Sequence, residues 1–277
     1  MSRPTIVFAH GNGFPAPTYR LLFEAWRAHG YRVLAPDKFG HDPRFPVSNN
    51  WPRLRDQLAD FIDSKVGAPV FLVGHSLGGL LSLLVACKRP ELARGLVMLD
   101  SPVVTGWRAH SLQMAKLTGL MPRVSPGRLT RTRRHEWPSR KSARAHFAAK
   151  PNFARWDPRM LDDYIASGVR RVGGKVVLAF DRDIETRIYN TVPHNLGNLL
   201  ERHPPQCPVG FIAGTRSVEM RQGGTEAARA MAGSRYRQVE GTHMFPMEQP
   251  EVTASMVAEL IDSMNGGAPR RPNRHRS

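Results

Sequence analysis

Cysteine is almost absent from this sequence: Cys87 and Cys207 are the two in 277 residues. Two thiols so far apart make neither a disulfide framework nor the paired spacing of a zinc site, so both read as small apolar fillers. No dense cluster of His, Cys and carboxylates stands at ligand spacing, and the sequence calls for no metal and no cofactor. A run of 18 apolar residues is also missing, which argues against a membrane-spanning helix. Met1-Ser2-Arg3-Pro4-Thr5 leads straight into the apolar run Ile6–Ala9 with no apolar leader between, so the expected location is the cytoplasm. There is no internal repeat, no nucleic-acid motif and no basic-aromatic stripe, and a specific nucleic-acid partner is not expected.

Acidic residues are scarce as well: 23 Asp and Glu face 40 Lys and Arg, a formal net charge of +17. The imbalance is local. Residues 1–100 hold 12 basic and 8 acidic side chains and residues 207–265 hold 5 and 7, whereas residues 101–206 hold 19 and 8 and residues 266–277 hold 4 and none. Most of such an excess is a solvated basic face. A few arginines at the mouth of a site would draw in anionic substrates.

What is present is organised around Val70-Phe71-Leu72-Val73-Gly74-His75-Ser76-Leu77-Gly78-Gly79. Four apolar residues of a buried strand run into Gly74-x-Ser76-x-Gly78, and an apolar helical run, Leu77–Cys87, follows without a gap. A serine at the tip of so sharp a turn sits in strained backbone, and its neighbours must be glycines to avoid a clash. The helix behind it points free N–H groups at the site.

Around this stretch strands alternate with helices of about a dozen residues, the pattern of a parallel sheet with right-handed crossovers. Strands are expected at Ile6–Ala9, Tyr31–Pro36, Val70–Val73, Gly95–Asp100, Val209–Ala213 and Tyr236–Val239, and helices at Tyr19–His29, Trp51–Lys65, Leu77–Cys87, Glu226–Met231 and Val252–Met264. The loops at His10, Asp37, Ser76 and Asp100 all fall at carboxyl ends of strands, where ligands bind in such sheets. Between Val103 and Gln206 the texture changes to Arg-rich helical fragments broken by prolines, with an extended stretch at Lys175–Phe180. The expected organisation is therefore a first half of the core (1–101), a helical cap insertion (102–206), a second half of the core (207–265) and a disordered basic tail (266–277). In the cap, the helical spacing of Leu112, Met114, Leu117, Leu120 and Met121 suits core packing, or acyl chains in a pocket.

Four motifs in this order, His10-Gly11 with its glycine-rich continuation, Asp37-x-x-Gly40-His41, Gly74-His75-Ser76-Leu77-Gly78-Gly79 and Gly241-Thr242-His243-x-Phe-Pro, resemble the α/β-hydrolase superfamily. The chain looks most like its small capped bacterial esterases, thioesterases and carbon–carbon bond hydrolases, over about residues 5–265. The resemblance implies a mostly parallel central sheet with flanking helices and an inserted helical cap. It further implies a serine hydrolase in which Ser76 attacks an acyl carbonyl and His243 relays the proton. The N–H groups of Asn12 and Leu77 would hold the oxyanion, and Gly11, Gly74 and Gly78 would shape the elbow and its facing loop. His10, His41 and His75 are read as structural.

The sequence departs from that pattern at one point. The family places its acid in a Gly-x-x-Asp turn after the strand that is here Val209–Ala213, and this chain has Gly214-Thr215-Arg216-Ser217. A hydroxyl cannot stabilise an imidazolium as a carboxylate does, so another acid must serve. Asp100, at the end of the strand after the nucleophile helix, is the first candidate; Glu219, two residues past the vacant position, is the alternative. The other functional readings are a carbon–carbon bond hydrolase and a catalytically weakened scaffold that binds rather than cleaves. Oligomeric state does not follow from the sequence.

Overall fold

The computed structural model describes residues 3–265, so the expected basic tail at 266–277 lies outside the described residues. The first half of the chain supplies β1 (Thr5–Ala9), α1 (Arg20–Ala28), β2 (Arg32–Leu34), α2 (Pro52–Lys65), β3 (Val70–His75), α3 (Leu77–Lys88) and β4 (Ala93–Leu99). An insertion follows: α4 (Gly106–Leu117), α5 (Met121–Val124), α6 (Gly127–Thr132), β5 (Glu136–Trp137), α7 (Arg140–Ala148), α8 (Pro158–Ser167), β6 (Val169–Val172), β7 (Lys175–Leu178), α9 (Arg182–Asn190) and α10 (Leu196–Arg202). The chain then returns through β8 (Val209–Gly214), α11 (Val218–Gly223), α12 (Glu226–Ala232), β9 (Tyr236–Val239), α13 (Phe245–Glu248) and α14 (Pro250–Met264).

Six strands pair in the order β2-β1-β3-β4-β8-β9, every pair parallel. The order reverses between β1 and β3, and at such a switch point the loops leaving the two strands part and open a crevice. Here those loops carry Asn12 and Ser76.

Alternation along the strands divides the core between the two faces of the sheet. Ile6, Phe8, Phe71, Val73, Val97 and Leu99 pack with Leu22, Phe23 and Trp26 of α1 and Val257 and Ile261 of α14. Val7, Ala9, Leu72, Leu96 and Met98 pack on the other side with Leu54, Leu58 and Ile62 of α2 and with α3. Every residue of α3 from Leu77 to Cys87 is buried. A helix apolar all round has to lie between layers, and this one is held between the sheet and α2. No helix among the described residues is long and apolar enough to cross a membrane.

The insertion departs from expectation twice. β7 falls on the expected extended stretch, but it is the centre of a three-stranded antiparallel sheet in the order β5-β7-β6, and neither β5 nor β6 is among the expected strands. Val172 pairs with Lys175 across Gly173-Gly174, both at positive φ (52° and 80°). Two glycines between Val169-Arg-Arg-Val172 and Lys175-Val-Val-Leu178 are a hairpin signal, set in a segment whose surrounding texture is helical. The second departure concerns the apolar residues of α4 and α5. Met121 is buried and Leu112 half-buried, but Met114, Leu117 and Leu120 face solvent instead of a core.

Candidate active site

β3 ends at His75, α3 starts at Leu77, and Ser76 between them adopts φ 55° and ψ −116°, outside the regions open to most L-residues. The turn is possible because two backbones touch. A Cβ on Gly74 would lie 2.3 Å from the carbonyl of Gly78, and one on Gly78 would lie 1.9 Å from the carbonyl oxygen of Ala9. Gly11 is the looser case, since its Cβ would meet His75 Nδ1 and the Tyr19 hydroxyl at 3.0 Å. Backbone cannot swing aside as a side chain can, so Gly78→Ala is expected to exceed the ~1–3 kcal/mol usual for overpacking. Gly197→Ala, in α10, meets Thr105 only at 3.8 Å. Thermal unfolding of the two variants should show a large loss for Gly78→Ala and none for Gly197→Ala.

β4 carries the next group. Asp100 follows its last residue, is fully buried and takes φ 44°. Its Oδ1 accepts the Gly214 N–H at 2.7 Å, and its Oδ2 accepts the Ser217 hydroxyl at 2.5 Å and His243 Nδ1–H at 2.7 Å. Ser217 in turn accepts the Met220 N–H at 3.1 Å, which leaves its own proton for Asp100. The serine in the vacant acid position is thus a buried donor to the carboxylate one strand away. Its role is not legible in the local sequence, and its one local sign is that it caps α11.

His243 follows β9 on the loop after Gly241 and completes a line: Ser76 Oγ lies 2.9 Å from its Nε2. Burial pushes the His243 pKa down, but the hydrogen bond to Asp100 and the charges of Asp100 and Glu219 outweigh it, and the net shift is upward. Glu219 itself is exposed, 3.5 Å from the Ser217 hydroxyl, and makes no hydrogen bond to the imidazole among the described contacts. Ligand atoms of Asp100, Glu219 and His243 lie within 4.8 Å of one another. Yet Asp100 Oδ2 and His243 Nδ1 already share a proton, which a cation at that spot would have to displace.

Three further histidines hold the frame. His10 donates from Nδ1 to the Gly11 carbonyl (2.8 Å) and accepts the Phe39 N–H at Nε2 (3.1 Å), tying the loop after β1 to the one after β2. His75 accepts the Tyr19 hydroxyl at Nδ1 (2.7 Å) and donates from Nε2 to the His243 carbonyl (2.9 Å), while Tyr19 accepts the Gly11 N–H (3.1 Å). Complete burial lowers their pKa values to about 4 for His10 and about 3 for His75, so both are neutral at pH 7. His41 donates to the Phe39 carbonyl and accepts the Asp181 N–H, fastening the insertion to the core.

The loop after β1 reaches the site from the other side. Leu77 opens α3, so its N–H has no intrahelical acceptor. Asn12 is buried, and its side-chain amide donates to the Glu185 carbonyl of α9 at 3.1 Å. The Glu185 carboxylate lies where a Cβ of Gly13 (φ 84°) would be, 2.6 Å from Oε1, and takes a 2.5 Å ion pair from Arg133. Burial raises the Glu185 pKa to about 7 against the opposing pull of Arg133. The insertion therefore braces the loop that carries Asn12, an arrangement invisible to local sequence reading because the contact spans 173 residues.

A parallel sheet with a strained serine at a strand-to-helix elbow and a histidine aimed at it from the last loop is the architecture of nucleophile-elbow α/β proteins. The chain belongs to the alpha/beta hydrolase family, whose model matches residues 6–256. It is 31% identical over 134 residues to the monoglyceride lipase homolog of Monkeypox virus, covering 45% of this chain and 48% of that one. With the Mus musculus monoglyceride lipase it shares 31% over 135 residues, 45% of each chain. The match thus spans less than half the length of these curated relatives. Among solved structures it resembles E-2-(acetamidomethylene)succinate hydrolase (TM-score 0.71, 20% identity, 94% of this chain and 92% of that one). It also resembles the thioesterase domain from the curacin biosynthetic pathway (TM-score 0.67, 19% identity, 92% and 91%).

Proposed function

We propose that this protein is a serine hydrolase that cleaves a carboxylic ester or thioester through an acyl-enzyme on Ser76. The observation that carries the reading is the unbroken line of hydrogen bonds from Ser76 Oγ to His243 Nε2 and from His243 Nδ1 to Asp100. Ser76 Oγ attacks the acyl carbonyl as its proton passes to His243 Nε2, while Nδ1–H stays on Asp100 and the carboxylate balances the imidazolium. The main-chain N–H groups of Leu77 and Asn12 receive the oxyanion, each such donor contributing ~3 kcal/mol to transition-state stabilisation. The imidazolium protonates the leaving alcohol or thiol, and water activated by the same histidine releases the acid.

The ester and thioester classes are suggested by relatives named monoglyceride lipase and a structural neighbour named thioesterase domain. The proposed organisation keeps residues 102–206 as a cap over the site, anchored on the core at Glu185 and His41. The reaction as proposed requires no cofactor.

Intact mass after exposure to a fluorophosphonate probe tests this. One adduct on the wild type and none on Ser76→Ala is the expected result. A folded wild type that takes no adduct overturns the hydrolase reading in favour of a binding scaffold.

A further inference from the structure

We propose that the α4–α6 segment of the insertion docks on an anionic lipid surface. Five large apolar side chains in 23 residues stand in solvent: Trp107 (70% exposed), Met114 (56%), Leu117 (72%), Leu120 (42%) and Leu129 (73%). In a helix turning 100° per residue, Trp107, Met114 and Leu117 fall on one side of α4. The opposite side carries Ala109, buried, with Leu112 and Lys116 half-buried. Lys116 reaches inward, donating to Asn49 Oδ1 at 2.7 Å and to the Val192 carbonyl at 2.5 Å. The helix is thus amphipathic in the reverse of the usual sense, a lysine facing the protein and Trp, Met and Leu facing water. Core packing explains none of the outward residues.

The charge that the segment itself carries is of one sign, and the acid that meets Arg108 is Glu226 of α12, at 3.7 Å. Between Asp100 and Glu136 there is no acidic residue, while Arg108, Arg123, Arg128, Arg131 and Arg134 lie on the same segment. All of these except Arg108 are exposed, and Arg108 is half-buried with its guanidinium over the Trp107 ring at 5.1 Å. Aliphatic and indole side chains ringed by arginine suit the boundary between headgroups and acyl chains of a bilayer containing anionic lipid. Nucleic acid would use the arginines but gains nothing from exposed leucines. A specific protein partner needs a packed depression to complement, and these side chains project singly. The face begins at Trp107, seven residues past Asp100, at the carboxyl end of the sheet where Ser76 lies, so docking would bring lipid to the side of the molecule that bears the site. Binding is read without turnover, so its outcome is separate from that of the hydrolase reading.

The test is flotation of the full chain with phosphatidylcholine vesicles and with phosphatidylcholine–phosphatidylglycerol vesicles, at low and high salt. Trp107→Ser/Leu117→Ser and Leu129→Ser alter only highly exposed side chains, so they leave the fold intact, as circular dichroism will verify. Binding is expected to be ~10-fold or more stronger to the anionic vesicles and to weaken with salt. It is expected to fall ~10-fold or more in the double variant. Absent binding to anionic vesicles, or binding that the double variant leaves unchanged, as attachment through the arginines of 270–276 alone would give, overturns the proposal. So does a lipid-free dimer, seen by sedimentation, that the double variant abolishes, because the face would then be an interface between copies.

Discussion

Replacing Asp100 with asparagine is expected to lower kcat/KM by ~10³- to 10⁴-fold, the loss typical of breaking a carboxylate–imidazole pair. The amide presents an N–H to His243 Nδ1 and so favours the tautomer whose Nε2 already holds a proton and cannot take one from Ser76. The pH profile should change with it. His243 must be neutral to act as base, so the acid limb of the wild-type profile is expected above the ordinary imidazole value, following the raised pKa. In Asp100→Asn the hydrogen bond and charge of Asp100 are gone, burial is opposed only by the charge of Glu219, and the limb should move to lower pH. Glu219→Gln is expected to cost less than ~10-fold, because an exposed carboxylate acts on His243 only through screened charge. Ser217→Ala removes one of three donors to Asp100, and a loss of up to ~10-fold is expected, the worth of one such hydrogen bond. Activity of the three variants on one ester, each with its pH profile, checks the ranking. A Glu219→Gln loss larger than that of Asp100→Asn would transfer the role to Glu219.

Acid should unfold the protein through His10 and His75, which the fold keeps neutral with pKa values of about 4 and about 3. In the unfolded chain both take up a proton near pH 6.5, so their contribution is complete above that pH and is lost as pH falls toward the folded values. At ~1.36 kcal/mol per pH unit, each withdraws ~3 kcal/mol by pH 4. Glu185 works in the opposite sense. Its folded pKa of about 7 is above the ordinary carboxylate value, so the fold gains as pH drops through 7, by ~3 kcal/mol when pH reaches 4.5. The raised pKa of His243 also favours the fold at the lower pH. Between pH 6.5 and 4.5 the histidines therefore win by about one proton, and below 4.5 by about two, a net loss of roughly 3–4 kcal/mol at pH 4. That is a large part of the 5–15 kcal/mol typical of folded proteins. Urea unfolding from pH 8 to 4 should show a stability maximum near ~6.5 with a steeper fall on the acid side. His10→Gln should flatten that fall, and an unchanged slope would remove His10 as its source.

Much of this molecule was legible in its residues. Continuous apolar runs marked β1, β3, β4 and β8 within a few residues, because a parallel strand buried on both faces has few other compositions. The glycines at 74 and 78 marked the elbow, because a Cβ at either would come within 1.9–2.3 Å of a neighbouring backbone. Order along the chain carried this information, since each signal is local. The choice between Asp100 and Glu219 was not local. Both satisfy the sequence pattern, and what distinguishes them is a positive-φ turn at the end of β4 and three donors arriving from β8, Ser217 and the last loop. Glu185 on the Asn12 loop likewise depends on where a helix 173 residues away comes to rest. Leucines at helical spacing in α4 predicted packing, but periodicity fixes only which residues share a face; whether that face meets a core or the solvent is decided by what else folds against it.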